Sequence, residues 1–118
     1  MNLKYHKTLS PEKWKTNSFS RQILMIANEI NRAGIWTKKN DLVEAMHCYA
    51  RALELIWLTV EVLEKRKILR EILRFRDIVA CSYLKPPDIQ KNVKMKNVLL
   101  AFDPECYRLL NPASNILK

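Results

Sequence analysis

Few residues in this sequence are of types that do covalent or metal chemistry, and their spacing keeps them apart. There are two histidines, His6 and His47, and three cysteines, Cys48, Cys81 and Cys106. The cysteines lie too far apart along the chain for the paired thiolates of a zinc ribbon or finger. His47 and Cys48 are neighbours, so on a helix their side chains diverge by about 100° and do not form a nucleophile–base pair. Glu44, Glu54, Glu61 and Glu64 fall in one apolar-periodic stretch, yet no Glu-x-x-His spacing of a di-iron bundle occurs. A single glycine, Gly34, argues against a loop that cradles nucleotide phosphates. The expectation is a chain with no catalytic set, no metal and no cofactor.

The residues that can do something in concert are the basic ones. The chain carries 21 Lys and Arg against 12 Asp and Glu, for a net charge of +9. Such an excess suits polyanionic partners, nucleic acid first. It is unevenly spread: residues 65–96 hold ten positive and three negative side chains, and residues 1–17 hold four and one. Lys67, Arg70 and Arg74 follow i, i+3, i+7 spacing, with Arg66 at the start of the same segment. Lys91 and Lys94 stand one turn apart further on. If the two segments are antiparallel neighbours, these six residues make one electropositive strip. Guanidinium forks match phosphate oxygens, which suits reading a nucleic-acid backbone rather than its bases. The plainer alternative is a solvated helix face with Glu71 and Asp77 as local partners.

Positioning such a strip requires long helices, and the periodicity supplies them. The 118 residues, 48% hydrophobic and 28% charged, suffice for one domain and are too apolar for a disordered polyelectrolyte. The scarcity of glycine also disfavours a hairpin-rich β fold. A first long helix is expected over about 19–34, capped by Ser18 and ended by Gly34 in a left-handed conformation. A second is expected over about 41–64, with Asn40 as cap. A third spans about 66–84, stopped by Pro86-Pro87, and a fourth about 88–102, capped by Asp88. No glycine or proline separates the second and third; a tight turn near 64–67 is inferred because an unbroken helix over both would be exceptional. Ser10-Pro11-Glu12 can start one helical turn within a basic N-terminal arm, residues 1–17. Residues 18–102 then form an all-α, up-down-up-down four-helix bundle, and 103–118 a short extra helix and tail.

Two features point to self-association. Leu55, Leu58 and Val62 lie on the opposite side of the second helix from Leu42, Leu53 and Val60, where an isolated bundle would be polar. Either another part of the chain covers them or another subunit does, and a homo-oligomer is the expectation. Arg76 falls inside the apolar arc of the third helix, as a residue lining a subunit interface or central channel, or else as a snorkelling side chain or an internal partner of Glu54 or Glu61. No stretch is apolar and long enough to span a bilayer. MNLKYHKTLS lacks the apolar core of a signal peptide, and an odd number of widely spaced cysteines is no disulfide framework. A reducing cytoplasm is the expected setting.

The stretches SRQILMIANEINRAG, NDLVEAMHCYARALELIWLTVEVLE and KRKILREILRFRDIVACSYL resemble a family of small four-helix-bundle proteins. It comprises the accessory variability determinant (Avd) proteins of diversity-generating retroelements and the proteins encoded by intervening sequences of bacterial 23S rRNA genes. The resemblance covers about residues 18–100, in helix order, helix length and basic character. It implies a barrel-like homopentamer without a catalytic motif. For the accessory group it implies binding to the retroelement's reverse transcriptase and its template RNA. The expected function is therefore a non-enzymatic oligomeric binding protein that engages RNA or DNA and a reverse transcriptase through a basic face. The alternative is a structural or protein-interaction bundle whose charge is incidental.

Overall fold

The structure, a computed structural model, describes residues 3–103. Among them it is all-α, with five helices: α1 (Pro11–Lys15), α2 (Phe19–Lys38), α3 (Leu42–Val62), α4 (Arg66–Leu84) and α5 (Ile89–Leu100). The short helix expected beyond Asp103, and Cys106 with it, lie outside the described residues. Local chemistry sets most boundaries. Ser10 accepts from the Lys13 amide with Pro11 in the first turn, and Ser18 accepts from Arg21. Asp88 accepts from both Gln90 and Lys91. The break between α3 and α4 falls at residues 63–65, where Leu63 and Lys65 are extended.

The end of α2 departs from expectation. Gly34 does not terminate the helix; it is buried within it, and α2 runs on to Lys38. Asn40 takes the left-handed conformation instead, with φ 60°, and Asp41 rather than Asn40 caps α3 by accepting from the Glu44 amide. The reason for glycine at 34 is a close approach. A Cβ there would collide with the side-chain oxygen of Asn92, which reaches across from α5. Asn92 itself is buried and donates to the Ile30 carbonyl at 2.7 Å and to the Tyr49 hydroxyl at 2.9 Å, so one amide joins α2, α3 and α5.

α3 is the central element. It packs along α2 and also against α4 and α1, while α5 leans mainly on α2 and less on α4. The core is built from Ile23, Ile26 and Ile30 of α2, Tyr49, Leu55 and Ile56 of α3, Ile72, Phe75 and Val79 of α4, and Met95, Leu99 and Leu100 of α5.

Residues 3–17 are not a free arm. Trp14 is fully buried, and its indole N–H donates to Thr59 at 3.0 Å. Gln22 donates back to the Trp14 and Asn17 carbonyls, fixing α1 on the start of α2. Upstream, the buried Glu54 carboxylate accepts from three successive backbone amides, Lys4, Tyr5 and His6, at 2.9–3.2 Å. A run of amides converging on one anion substitutes for the water the carboxylate loses on burial.

Two substitutions test these contacts. Glu54→Gln should cost about 1.5–3 kcal/mol of unfolding free energy, the range for hydrogen bonds to a charged group. Hydrogen exchange should quicken at Lys4–His6 while the α2 amides stay protected. Gly34→Ala gains about 1 kcal/mol in an ordinary helix interior, but overpacking against Asn92 should reverse the sign and cost about 1–3 kcal/mol. Thermal melts should find that penalty relieved in an Asn92→Ala background.

Candidate nucleic-acid interface

The six residues of the expected strip are all solvent-exposed. On α4, Lys67, Arg70 and Arg74 fall within about 60° of one another on the helical wheel, on the side away from Ile72, Phe75 and Val79. Arg66 occupies the first turn. Arg74 is tied to Glu71 at 3.0 Å, a pair exposed on both sides and therefore weak. Arg66, Lys67 and Arg70 have no carboxylate within ion-pair distance among the described residues. Their charge is free to act on a ligand.

Lys91 and Lys94 are equally unpaired, but they do not extend this row. They face the C-terminal half of α4, across a cavity they share with Asp77, Ile78, Cys81 and Lys85. The single strip therefore resolves into two cationic areas along one side of the molecule. One is the N-terminal half of α4; the other is the α5 rim of an inter-helix groove.

The proposed interface residues are placed otherwise. Leu55 and Leu58 are buried inside the chain itself, and Val62 is partly covered by it. α1 packs on α3 at this end and supplies Trp14, whose bond to Thr59 sits between Leu58 and Val60 in sequence. The second apolar stripe is thus a contact within one protomer. Arg76 is not an internal partner of Glu54 or Glu61: its side chain is about half exposed and hydrogen-bonds its neighbour Asp77 at 3.2 Å. Glu54 is engaged by the N-terminal backbone, which leaves no role for a distant guanidinium.

The buried charge lies elsewhere, and residue spacing gives no sign of it. Glu29 on α2 is buried and accepts from Arg32 at 2.9 Å and from Arg51 of α3 at 3.0 Å. Arg51 also reaches Glu44 and the Cys48 sulfur, and lies over the Tyr5 ring. Burial pushes the Cys48 thiol above its usual value, and the adjacent Arg51 offsets only part of that rise, so Cys48 is a packing residue rather than a nucleophile. His47 is half-exposed beside Glu44 at 3.4 Å and does not pair with Cys48. Among the described residues no group of His, Cys, Asp and Glu is arranged to hold a metal ion. None of the described helices is long and apolar enough to cross a membrane.

No family model, curated protein or solved structure matches this chain.

Burial of Leu58 changes what its substitution should do. Leu58→Glu places a carboxylate in the buried hydrophobic core, which costs several kcal/mol. The expected outcome is loss of the cooperative melt by circular dichroism. A smaller but fully folded species in light scattering would instead mean that Leu58 lies between subunits.

Proposed function

We propose that this chain is a non-enzymatic nucleic-acid-binding protein of the cytoplasm. Its four long helices form an up-down-up-down bundle, and the exposed face of α4 engages the phosphates of RNA or DNA. One observation carries the reading: Arg66, Lys67 and Arg70 are exposed, clustered and free of ion partners among the described residues, in the segment where the positive surplus is concentrated. Phosphate contacts of this kind release condensed counterions and are indifferent to base sequence. In the more specific form implied by the resemblance to Avd accessory proteins, the ligand is a retroelement's template RNA and the protein partner is its reverse transcriptase. Assembly into a homo-oligomer, a pentamer in that family, would multiply weak phosphate contacts. It would use surfaces other than Leu55 and Leu58. The second reading, a protein-interaction bundle, is favoured by a different feature, the apolar groove between α4 and α5.

The test is a salt titration of binding to a single-stranded RNA oligonucleotide. Lys67→Glu with Arg70→Glu should weaken binding to all sequences alike and reduce the log–log salt slope by about 1.4, at ~0.7 per lost contact. Lys38→Glu with Lys39→Glu makes the same charge change at the far end of α2 and should have much less effect. An unchanged slope in the α4 variant would remove the nucleic-acid reading and leave the protein-interaction one.

A further inference from the structure

α4 and α5 are joined by a segment that holds them apart. Lys85 and Asp88 have extended backbones, and Pro86 and Pro87 between them are restricted to φ near −65°. Four residues in such a conformation span about 12 Å, more than the ~8–10 Å between close-packed helix axes. α5 is meanwhile held to α2 through Asn92. The result is a cavity of about 440 Å³ between α4 and α5, open to solvent along one side. Its size lies within the ~300–1,000 Å³ of ordinary ligand sites.

The groove has an apolar floor and a cationic rim. Ile78 of α4 and Val98 of α5 face it with 46% and 45% of their surfaces exposed, and Cys81, Met95 and the ring of Tyr49 complete the floor. Lys85, Lys91 and Lys94 stand around it without ion partners among the described residues. The two acidic residues nearby are already engaged, Asp77 by Arg76 and Asp88 by the first amides of α5.

We propose that this groove is a docking site for an acidic amphipathic helix of a partner protein. Leucine-like side chains on one face of that helix would enter between Ile78 and Val98. Carboxylates flanking them would meet Lys85, Lys91 and Lys94. The α4 and α5 walls each run about two turns, enough to receive anchors at i and i+3 or i+4. A second copy of this chain fits poorly, because a two-fold contact through this face would set the three lysines against their own equivalents. Nucleic acid fits poorly too: an aliphatic floor gives phosphates nothing, and the one aromatic ring there, Tyr49, is buried and unavailable for base stacking. The proposal concerns a different surface from the face of Arg66, Lys67 and Arg70 and does not depend on that face binding RNA.

The test uses the full chain and two labelled synthetic peptides of about 16 residues, roughly four helical turns. Both carry leucines at i, i+3 and i+7; one has glutamates on its remaining face and the other has lysines. Fluorescence anisotropy should detect binding of the glutamate peptide and not of the lysine peptide. Ile78→Glu and, independently, Val98→Asp should each weaken it at least about tenfold by charging the apolar floor. Both positions are half-exposed, so thermal melts should remain cooperative. Lys91→Glu with Lys94→Glu should shift preference toward the lysine peptide. Equal binding of the two peptides by the unaltered protein, or unchanged affinity in both floor variants, would overturn the proposal. It would equally be overturned if Ile78→Glu weakened a uridine oligonucleotide as much as the peptide, since the groove would then belong to a nucleic-acid surface.

Discussion

The arrangement of this molecule turns on one buried amide. Asn92 lies where α2, α3 and α5 meet, bonded to a main-chain carbonyl of α2 and to a phenol of α3, in a space that exists because residue 34 has no side chain. An apolar residue at 92 would tolerate several positions of α5 along α2. A buried amide tolerates only those in which both bonds are made, because an unsatisfied polar group there costs about 1–3 kcal/mol. Asn92 and Gly34 therefore act as a register pin. By seating α5 on α2, the pin also keeps α5 from closing on α4. Together with the rigid Pro86-Pro87 connection, it accounts for the groove, which is otherwise an unexplained gap in a well-packed core.

A second constraint concerns charge. Among the described residues two carboxylates are buried, and they are neutralised in different ways. Glu29 is surrounded by guanidinium groups, so its burial consumes positive charge. Glu54 is held chiefly by the backbone amides of Lys4, Tyr5 and His6, with the His6 ring at 3.4 Å, and engages no Lys or Arg side chain among the described residues. Asp41 and Asp88 cap helices. These acids are thus committed to structure, while Arg66, Lys67 and Arg70 of α4 and Lys91 and Lys94 of α5 are exposed without ion partners among the described residues. The field outside the protein is consequently steeper along that side than the net charge alone implies.

Helix identity was legible in the sequence because it depends on local chemistry. The caps at Ser10, Ser18 and Asp88 and the stop at Pro86 follow from residues within a turn of the boundary; the break at residues 63–65 follows from helix length instead, since no glycine or proline marks it. The errors arose wherever a distant partner decided the outcome. Gly34 looks like a terminator until Asn92, 58 positions away, explains it as a contact. Leu55 and Leu58 look like a subunit interface until α1 and Trp14 are folded over them. Trp14 itself sits in a stretch with no periodicity, and its fit to Thr59 has no local signature. α5 has an irregular amphipathic pattern because its buried line, Asn92–Met95–Leu99, includes a polar residue while Val93 and Val98 remain outside. For the candidate site, the identity and exposure of the six cations were legible, because charge surplus and helical spacing are properties of one segment. Their division into two areas was not, since it depends on how far apart α4 and α5 are held.

That division gives α4 two chemically distinct halves on one face. Continuing the i, i+3, i+7 row of Lys67, Arg70 and Arg74 by further turns leads to Ile78, Cys81 and Lys85. The same side of one helix thus passes from unpaired cations over solvent to an aliphatic wall beside α5. A polyanion gains from the first half only, where there is charge and no apolar surface to desolvate. An amphipathic protein segment gains from the second half, where burial of Ile78 and Val98 rewards contact and the lysines select its charge. Because both halves belong to one rigid element, ligands on each would be held in fixed relative orientation. If both proposals hold, that geometry suits presenting a nucleic acid to a partner better than only storing or packing it.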